Sequence, residues 1–207
     1  MRLVFALVLL SGFAALADDD LPPIIPKDPE PRFGVTAKLK VYPQTTPKKT
    51  LQSAIEACEK NDYAYLIAHL LDPAFVELRI VDRAKQFEAP VDIELSRLRD
   101  YQYANPDRFP LQDRLPLDKP QFHAVVVARS REHAFKQLQR DAGQKILDDP
   151  QSLKDMKRIL RDGTFADEGA VVKADHITLK DRALYFKRIG DRWFLQNRET
   201  DEPKKEP

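Results

Sequence analysis

"ALYFKRIGDRWFLQN", Ala183 to Asn197, is the stretch whose reading decides the fold. Gly190-Asp191 is a two-residue turn with glycine first, the type II′ arrangement that matches the twist of paired strands. Pairing outward from it sets Arg188 opposite Trp193, Phe186 opposite Leu195 and Leu184 opposite Asn197. The alternate positions pair Ile189 with Arg192, Lys187 with Phe194 and Tyr185 with Gln196. The first set carries Leu184, Phe186, Trp193 and Leu195 and reads as the core face. The basic residues fall mostly on the other face or at the turn. Aromatic and basic residues alternate here because a half-buried strand alternates, so the stretch predicts a hairpin rather than a nucleic-acid surface.

Working outward, "GAVVKADHITL" before it is a further strand candidate, which makes an antiparallel meander at the C-terminal end. Earlier segments are helical. In "TTPKKTLQSAIEACEKND", Thr46 is an N-cap and Pro47 the first helical residue. Leu51, Ala54, Ile55 and Cys58 share one face of that helix. Asp62 caps a second helix with Leu66, Ile67 and Leu70 inward, and "LDP" at Leu71 to Pro73 stops it. Helical stretches follow at about Phe75 to Phe87 and Val91 to Tyr101. "YANPDRFPLQDRLPLDKP" is a long irregular loop. "FHAVVVA" is strand-like by composition, yet its run into "REHAFKQLQRDAGQKIL" is compatible with helix throughout. "SLKDMKRIL" is another helix, ended by Asp162-Gly163.

The start of the chain, "MRLVFALVLLSGFAALA", has Arg2, an apolar run and the small-x-small site Ala15-Leu16-Ala17. This is the pattern of a cleavable export signal, with cleavage after Ala17. "DDD" at Asp18 to Asp20 ends the run before the length of a membrane span is reached. Residues 18–45, rich in proline, read as a linker, with "RFGVTAKLKVY" offering a short edge strand. Residues 46–198 are the folded α+β domain and residues 199–207 a disordered tail. The expectation is an exported protein, periplasmic or extracellular, with no transmembrane segment once the signal is removed.

Lys+Arg 34 against Asp+Glu 33 gives no global field toward a polyanion. Basic residues beyond Gln121 are interspersed with acids, so no nucleic-acid partner is expected. Cys58 is the only cysteine, cannot form an internal disulfide, and sits where a buried thiol acts as a small hydrophobe.

The Thr-Pro-capped helix, polar turn, second helix and "LLDP" over "TPKKTLQSAIEACEKNDYAYLIAHLLDPAF", with the closing hairpin "LYFKRIGDRWFLQN", resemble the NTF2-like (SnoaL-like) superfamily, in particular its exported bacterial members. The resemblance covers about Thr46 to Val76 and Gly169 to Arg198. It implies N-terminal helices packed on a C-terminal curved antiparallel sheet, a cone enclosing a pocket. The middle of the chain reads as more helical than the family pattern, with a helical domain bearing a small β-meander as the fallback. Family pockets serve isomerases and dehydratases, and equally binding and dimerisation modules, so fold does not decide function.

An isomerase-type site needs a carboxylate base and a Tyr or protonated acid as oxyanion donor. Tyr63, Tyr65, Asp175, His176, Tyr185 and Trp193 are the pocket candidates. Adjacent on a strand, Asp175 and His176 point to opposite faces, which disfavours a catalytic pair. His69, three residues before Asp72, sits at a helix end and suits contact with terminal carbonyls. No two histidines have metal-ligand spacing, and no phosphate or dinucleotide loop is present, so no catalytic residue, metal or cofactor is expected. The expected role is a non-catalytic binding or interaction module taking a small apolar ligand or a protein partner, and compatible with a homodimer. The alternative is a small-molecule isomerase or lyase using the cone pocket.

Overall fold

The structure, a computed structural model, describes residues 29–167, 171–179 and 182–196. Four of its five helices start on one device: a side-chain cap followed by proline at the first or second helical position. Proline's missing N–H is no loss there, and its fixed φ suits the first turn. α1 (Pro47–Glu59) is capped by Thr46, whose Oγ1 accepts from the Lys49 N–H at 3.2 Å. Its inward face holds Leu51, Ala54, Ile55 and Cys58. Burial pushes the Cys58 thiol up to about 11, which keeps it protonated and inert.

Asp62 caps a single turn, α2 (Tyr63–Tyr65), through the Tyr65 N–H at 3.1 Å. The chain then widens into a π-helical turn over Leu66–Leu70. Leu71 is extended, and Asp72 caps α3 (Pro73–Ala104) through the Ala74 N–H.

α3 replaces the two helices expected at 75–87 and 91–101 and runs straight through Pro90. Pro90 is exposed, so water can satisfy the carbonyl that it leaves without a donor. Phe87 and Val91 on either side of it pack inward against α4 (Lys119–Asp148), and that seam outweighs the local penalty. "FHAVVVA" is likewise helical. Phe122, Val126 and Ser130 form one buried stripe of α4, facing Val91 and Leu95 of α3. Tertiary packing overrides the β propensity of the three valines. The expected Pro-rich loop connects α3 to α4 and contains one 3-10 turn, Leu111–Asp113.

α5 (Pro150–Asp162) leads through Gly163 into a four-stranded antiparallel sheet in strict sequence order: β1 (Thr164–Asp167), β2 (Val171–Asp175), β3 (Leu184–Ile189) and β4 (Arg192–Gln196). The molecule is therefore α+β, helices first and a meander last. The hairpin register is the one expected: Arg188 with Trp193, Phe186 with Leu195, Ile189 with Arg192, Lys187 with Phe194, and Tyr185 with Gln196. Gly190 takes φ +63° at the turn. The pairing of Leu184 with Asn197 lies outside the described residues. β1, a stretch just past the helix end at Asp162-Gly163 for which no strand was expected, adds a fourth strand against β2.

The faces of the hairpin need correction. Phe186 and Leu195 are buried against α1 and α5 as expected, but Trp193 is only partly buried while Phe194, on the opposite face, is 2% exposed. The reason is that β4 is covered on more than one side. The Asp72 N–H donates to the Leu195 carbonyl at 2.8 Å, and the Arg192 guanidinium lies over the Phe194 ring.

Residues 29–45, expected as solvated linker, instead pack onto the domain. Ala37, Tyr42 and Gln44 are buried. The Gln44 side-chain amide donates to the carbonyls of His69 and Trp193 at 2.8 and 2.9 Å, and the Trp193 N–H donates to the Gln44 carbonyl. "RFGV" forms a tight turn closed by a bridge between Arg32 and Val35 rather than an edge strand. Residues 1–17, read above as an export signal, residues 18–28 and the expected tail 199–207 lie outside the described residues.

Candidate functional site

α5 presents Ser152, Asp155 and Ile159 on one stripe, at helical spacing, toward the ends of β2 and β3. Between that stripe and the β2–β3 connection lies an open cleft of about 940 Å³. This is within the size range of small-molecule sites. Met156, Ile159, Leu179 and Leu184 give it an apolar wall, while Lys173, Asp175, His176, Arg182 and Tyr185 bring polar groups to it.

Its charged groups are engaged. Asp155, 4% exposed, accepts from Gln151 Nε2 at 2.7 Å through Oδ1 and from Arg182 Nη1 at 2.8 Å through Oδ2. The same Arg182 lies 3.8 Å from Asp149 Oδ2. Asp149 caps α5 and takes a short 2.5 Å bond from the Ser152 hydroxyl, which, ahead of any charge effect, holds its carboxyl below the usual carboxylate range. Lys173 Nζ is 3.0 Å from Asp175 Oδ2. His176 Nδ1 accepts from the Thr178 N–H at 3.2 Å, and the Thr178 hydroxyl lies 2.8 Å from the same atom. A ring nitrogen that accepts from an amide carries no proton, so His176 presents Nε2–H as a donor. Burial of a charge is tolerated where it is paired and hydrogen-bonded, which is the state of Asp155.

Of the six pocket candidates, Asp175, His176 and Tyr185 line this cleft together. Strand alternation does not separate Asp175 from His176, because β2 ends at Asp175 and His176 already belongs to the turn. The other three are elsewhere. Tyr65 is fully buried, its hydroxyl accepting from the Lys38 N–H, and its ring packs tilted against those of Tyr42 and His69, with centroids 4.4 Å and 4.9 Å away. Tyr63 donates its hydroxyl to Asn61 Oδ1 and lays its ring beside Gly143. Trp193 packs against the main core and is locked through its backbone to Gln44. His69 does lie in the last turn of the Leu66–Leu70 segment, but the carbonyl it meets is not a helix-terminal one. His69 is 1% exposed, and its Nε2 meets the Val35 carbonyl at 2.8 Å across the fold.

The sequence reading missed Asp155 and Arg182. Asp155 sits at i+3 from Ser152 on the strongly amphipathic α5, a buried carboxylate on an apolar face. That mismatch was the available signal.

Among the described residues no three His, Cys, Asp or Glu side chains are grouped to hold a metal ion. No described helix is long and apolar enough to cross a membrane. The chain matches no protein-family model, no curated protein and no solved structure in the three comparisons made.

Proposed function

We propose that this chain is an exported, non-catalytic binding module of NTF2-like kinship, and that the cleft between α5 and the β2–β3 connection holds a small ligand with an apolar body. The kinship is supported by the Thr46-Pro47 helix packed near β4 and by the closing aromatic hairpin. One observation carries the binding reading. The ionisable groups of the cleft are committed to one another or to the backbone, Asp155 to Arg182, Lys173 to Asp175 and His176 Nδ1 to Thr178, beside an apolar wall. Polar groups fixed by one another beside an apolar wall suit a site that orients a ligand with an apolar body.

The test is titration with an apolar fluorescent probe such as an anilinonaphthalene sulfonate. Saturable one-to-one binding that Leu179→Lys abolishes, with the circular dichroism unchanged, is the expected result. Binding that ignores Leu179→Lys would remove the cleft from the reading.

A second reading, an isomerase or lyase, is favoured by one fact: Asp175, His176 and Tyr185 line the same cleft. Turnover of an enolisable ketone or a β-hydroxy carbonyl compound that survives repurification and is lost in Tyr185→Phe would replace the first reading with this one.

A further inference from the structure

The β2–β3 connection bounds the cleft beside α5 and arranges three side chains there by backbone hydrogen bonds. Ala174 of β2 pairs with Leu184 of β3, so His176 and Arg182 stand at the two ends of the connection, each two residues beyond that pair. The Leu179 N–H donates to the His176 carbonyl at 2.8 Å, and the Arg182 N–H donates to the Leu179 carbonyl at 3.1 Å. An apolar side chain is thereby held between two hydrogen-bond donors, and all three residues line the cleft.

The carboxylates of the cleft already have donors. Both oxygens of Asp155 are taken, by Gln151 and by Arg182, and Asp175 faces Lys173 at 3.0 Å. Donors, by contrast, are left over. The contacts of Arg182 with Asp155 and Asp149 both run through Nη1, which leaves its Nε–H and Nη2–H groups without a partner among the described residues. His176, with Nδ1 accepting from Thr178, keeps Nε2–H to donate. Asp155 is buried and Asp149 does not line the cleft, so the charges shown to a ligand are Lys173, Asp175 and Arg182, two cations to one carboxylate.

We propose that the cleft takes a monocarboxylate with an apolar chain, its carboxylate received by Arg182 and the His176 Nε2–H and its chain lying along Met156, Leu179 and Leu184. This names the ligand class of the binding module proposed above and rests on that reading. A planar guanidinium matches carboxylate geometry, and a charge-assisted bond is about twice as strong as a neutral one, so a carboxylate uses these N–H groups better than an alcohol does. An ammonium ion brings only further donors to a cleft whose acceptors are occupied.

Displacement of the anilinonaphthalene probe from the full chain, at neutral pH and low salt, tests this with three ligands of one chain length: octanoate, octan-1-ol and octylammonium. Octanoate should displace the probe at a concentration about tenfold below that needed of either comparator. His176→Leu should raise the octanoate value about fivefold and leave that of octan-1-ol unchanged, with His176→Gln, which keeps an N–H near the Nε2 position, lying between. Should His176→Leu fail to fold, Arg182→Lys serves instead: it keeps a cation for Asp155 but loses the planar fork, and should lower the preference for octanoate in the same way. Equal displacement by all three ligands, displacement best by octylammonium, or a preference for octanoate that survives both His176→Leu and Arg182→Lys would overturn the proposal and leave the binding reading standing. A probe that does not bind the parent chain, or that binds regardless of Leu179→Lys, would defeat both.

Discussion

Arg182, half exposed before β3, places Nη1 2.8 Å from Oδ2 of Asp155, whose side chain is only 6% exposed. A loop cation thus neutralises a helix carboxylate that water barely reaches. Arg182→Met should destabilise the protein by about 1–3 kcal/mol, the buried carboxylate losing its charged partner while the exposure of Arg182 limits the effect. Asp155→Asn in the same background should return part of that loss. Urea denaturation of the four species measures the coupling, and additivity within about 0.5 kcal/mol would mean that the two residues do not act as a pair.

Gly163 joins α5 to β1 with φ in the ordinary negative range. A Cβ there would press into the Ile159 carbonyl and stand 2.8 Å from the Asp175 carbonyl oxygen. Both neighbours are backbone and cannot rotate away. Gly163→Ala should therefore cost about 1–3 kcal/mol despite removing a flexible residue from the unfolded chain. Equal or higher stability in thermal melts would show that the helix–strand junction can relax.

Phe194 and Trp193 are neighbours with opposite fates, the first 2% exposed and the second only partly buried. Phe194→Ala should cost about 3–5 kcal/mol, the usual figure for truncating a core aromatic, and Trp193→Ala should cost less. Chemical denaturation of both variants orders them. The reverse order would mean that the sheet buries only its α1 side.

His69 is held neutral. Burial, opposed by its bond to the Val35 carbonyl and aided by the charges of Arg32 and Arg192, lowers its pKa from the ordinary value of 6.5. Unfolded, the imidazole takes up a proton near pH 6.5; folded, it does so only at lower pH. The unfolded state therefore binds more protons in that interval, and stability should fall as pH drops below 6.5, by up to about 1.4 kcal/mol per pH unit. The slope should vanish below the folded pKa. His69→Gln should flatten the profile between pH 6.5 and 5 relative to the parent, and parallel profiles would exclude His69 as the source.

The hairpin register was legible because one turn glycine and strict alternation specify it, and the helix starts were legible where a cap precedes proline, as at Thr46-Pro47. The faces of β4 were not. Periodicity reports which residues share a side, whereas burial of Phe194 depends on segments far away in sequence. The continuity of α3 through Pro90 and the helicity of "FHAVVVA" depend in the same way on the α3–α4 seam. Residues 29–45 were misread because proline content signals extended backbone, and extended backbone can either be solvated or be laid against a sheet edge. For the cleft, Asp175, His176 and Tyr185 were in hand, but their convergence requires the β2–β3 turn. Asp155 and Arg182 come together only because α5 lies beside that turn.

The bond from Gln44 to the Trp193 carbonyl spans 149 positions of the chain. A contact of that separation has a high loop-closure cost and forms late, which slows folding relative to a helical bundle of equal size. During synthesis, Gln44, His69 and Leu71 emerge long before β4 exists to receive them. A nascent chain stopped before Arg192 would leave Gln44 without its Trp193 partner and the Asp72 N–H without its acceptor, Leu195. This architecture thereby delays its own completion until β4 is available, so it stays unlocked while the chain is still being made.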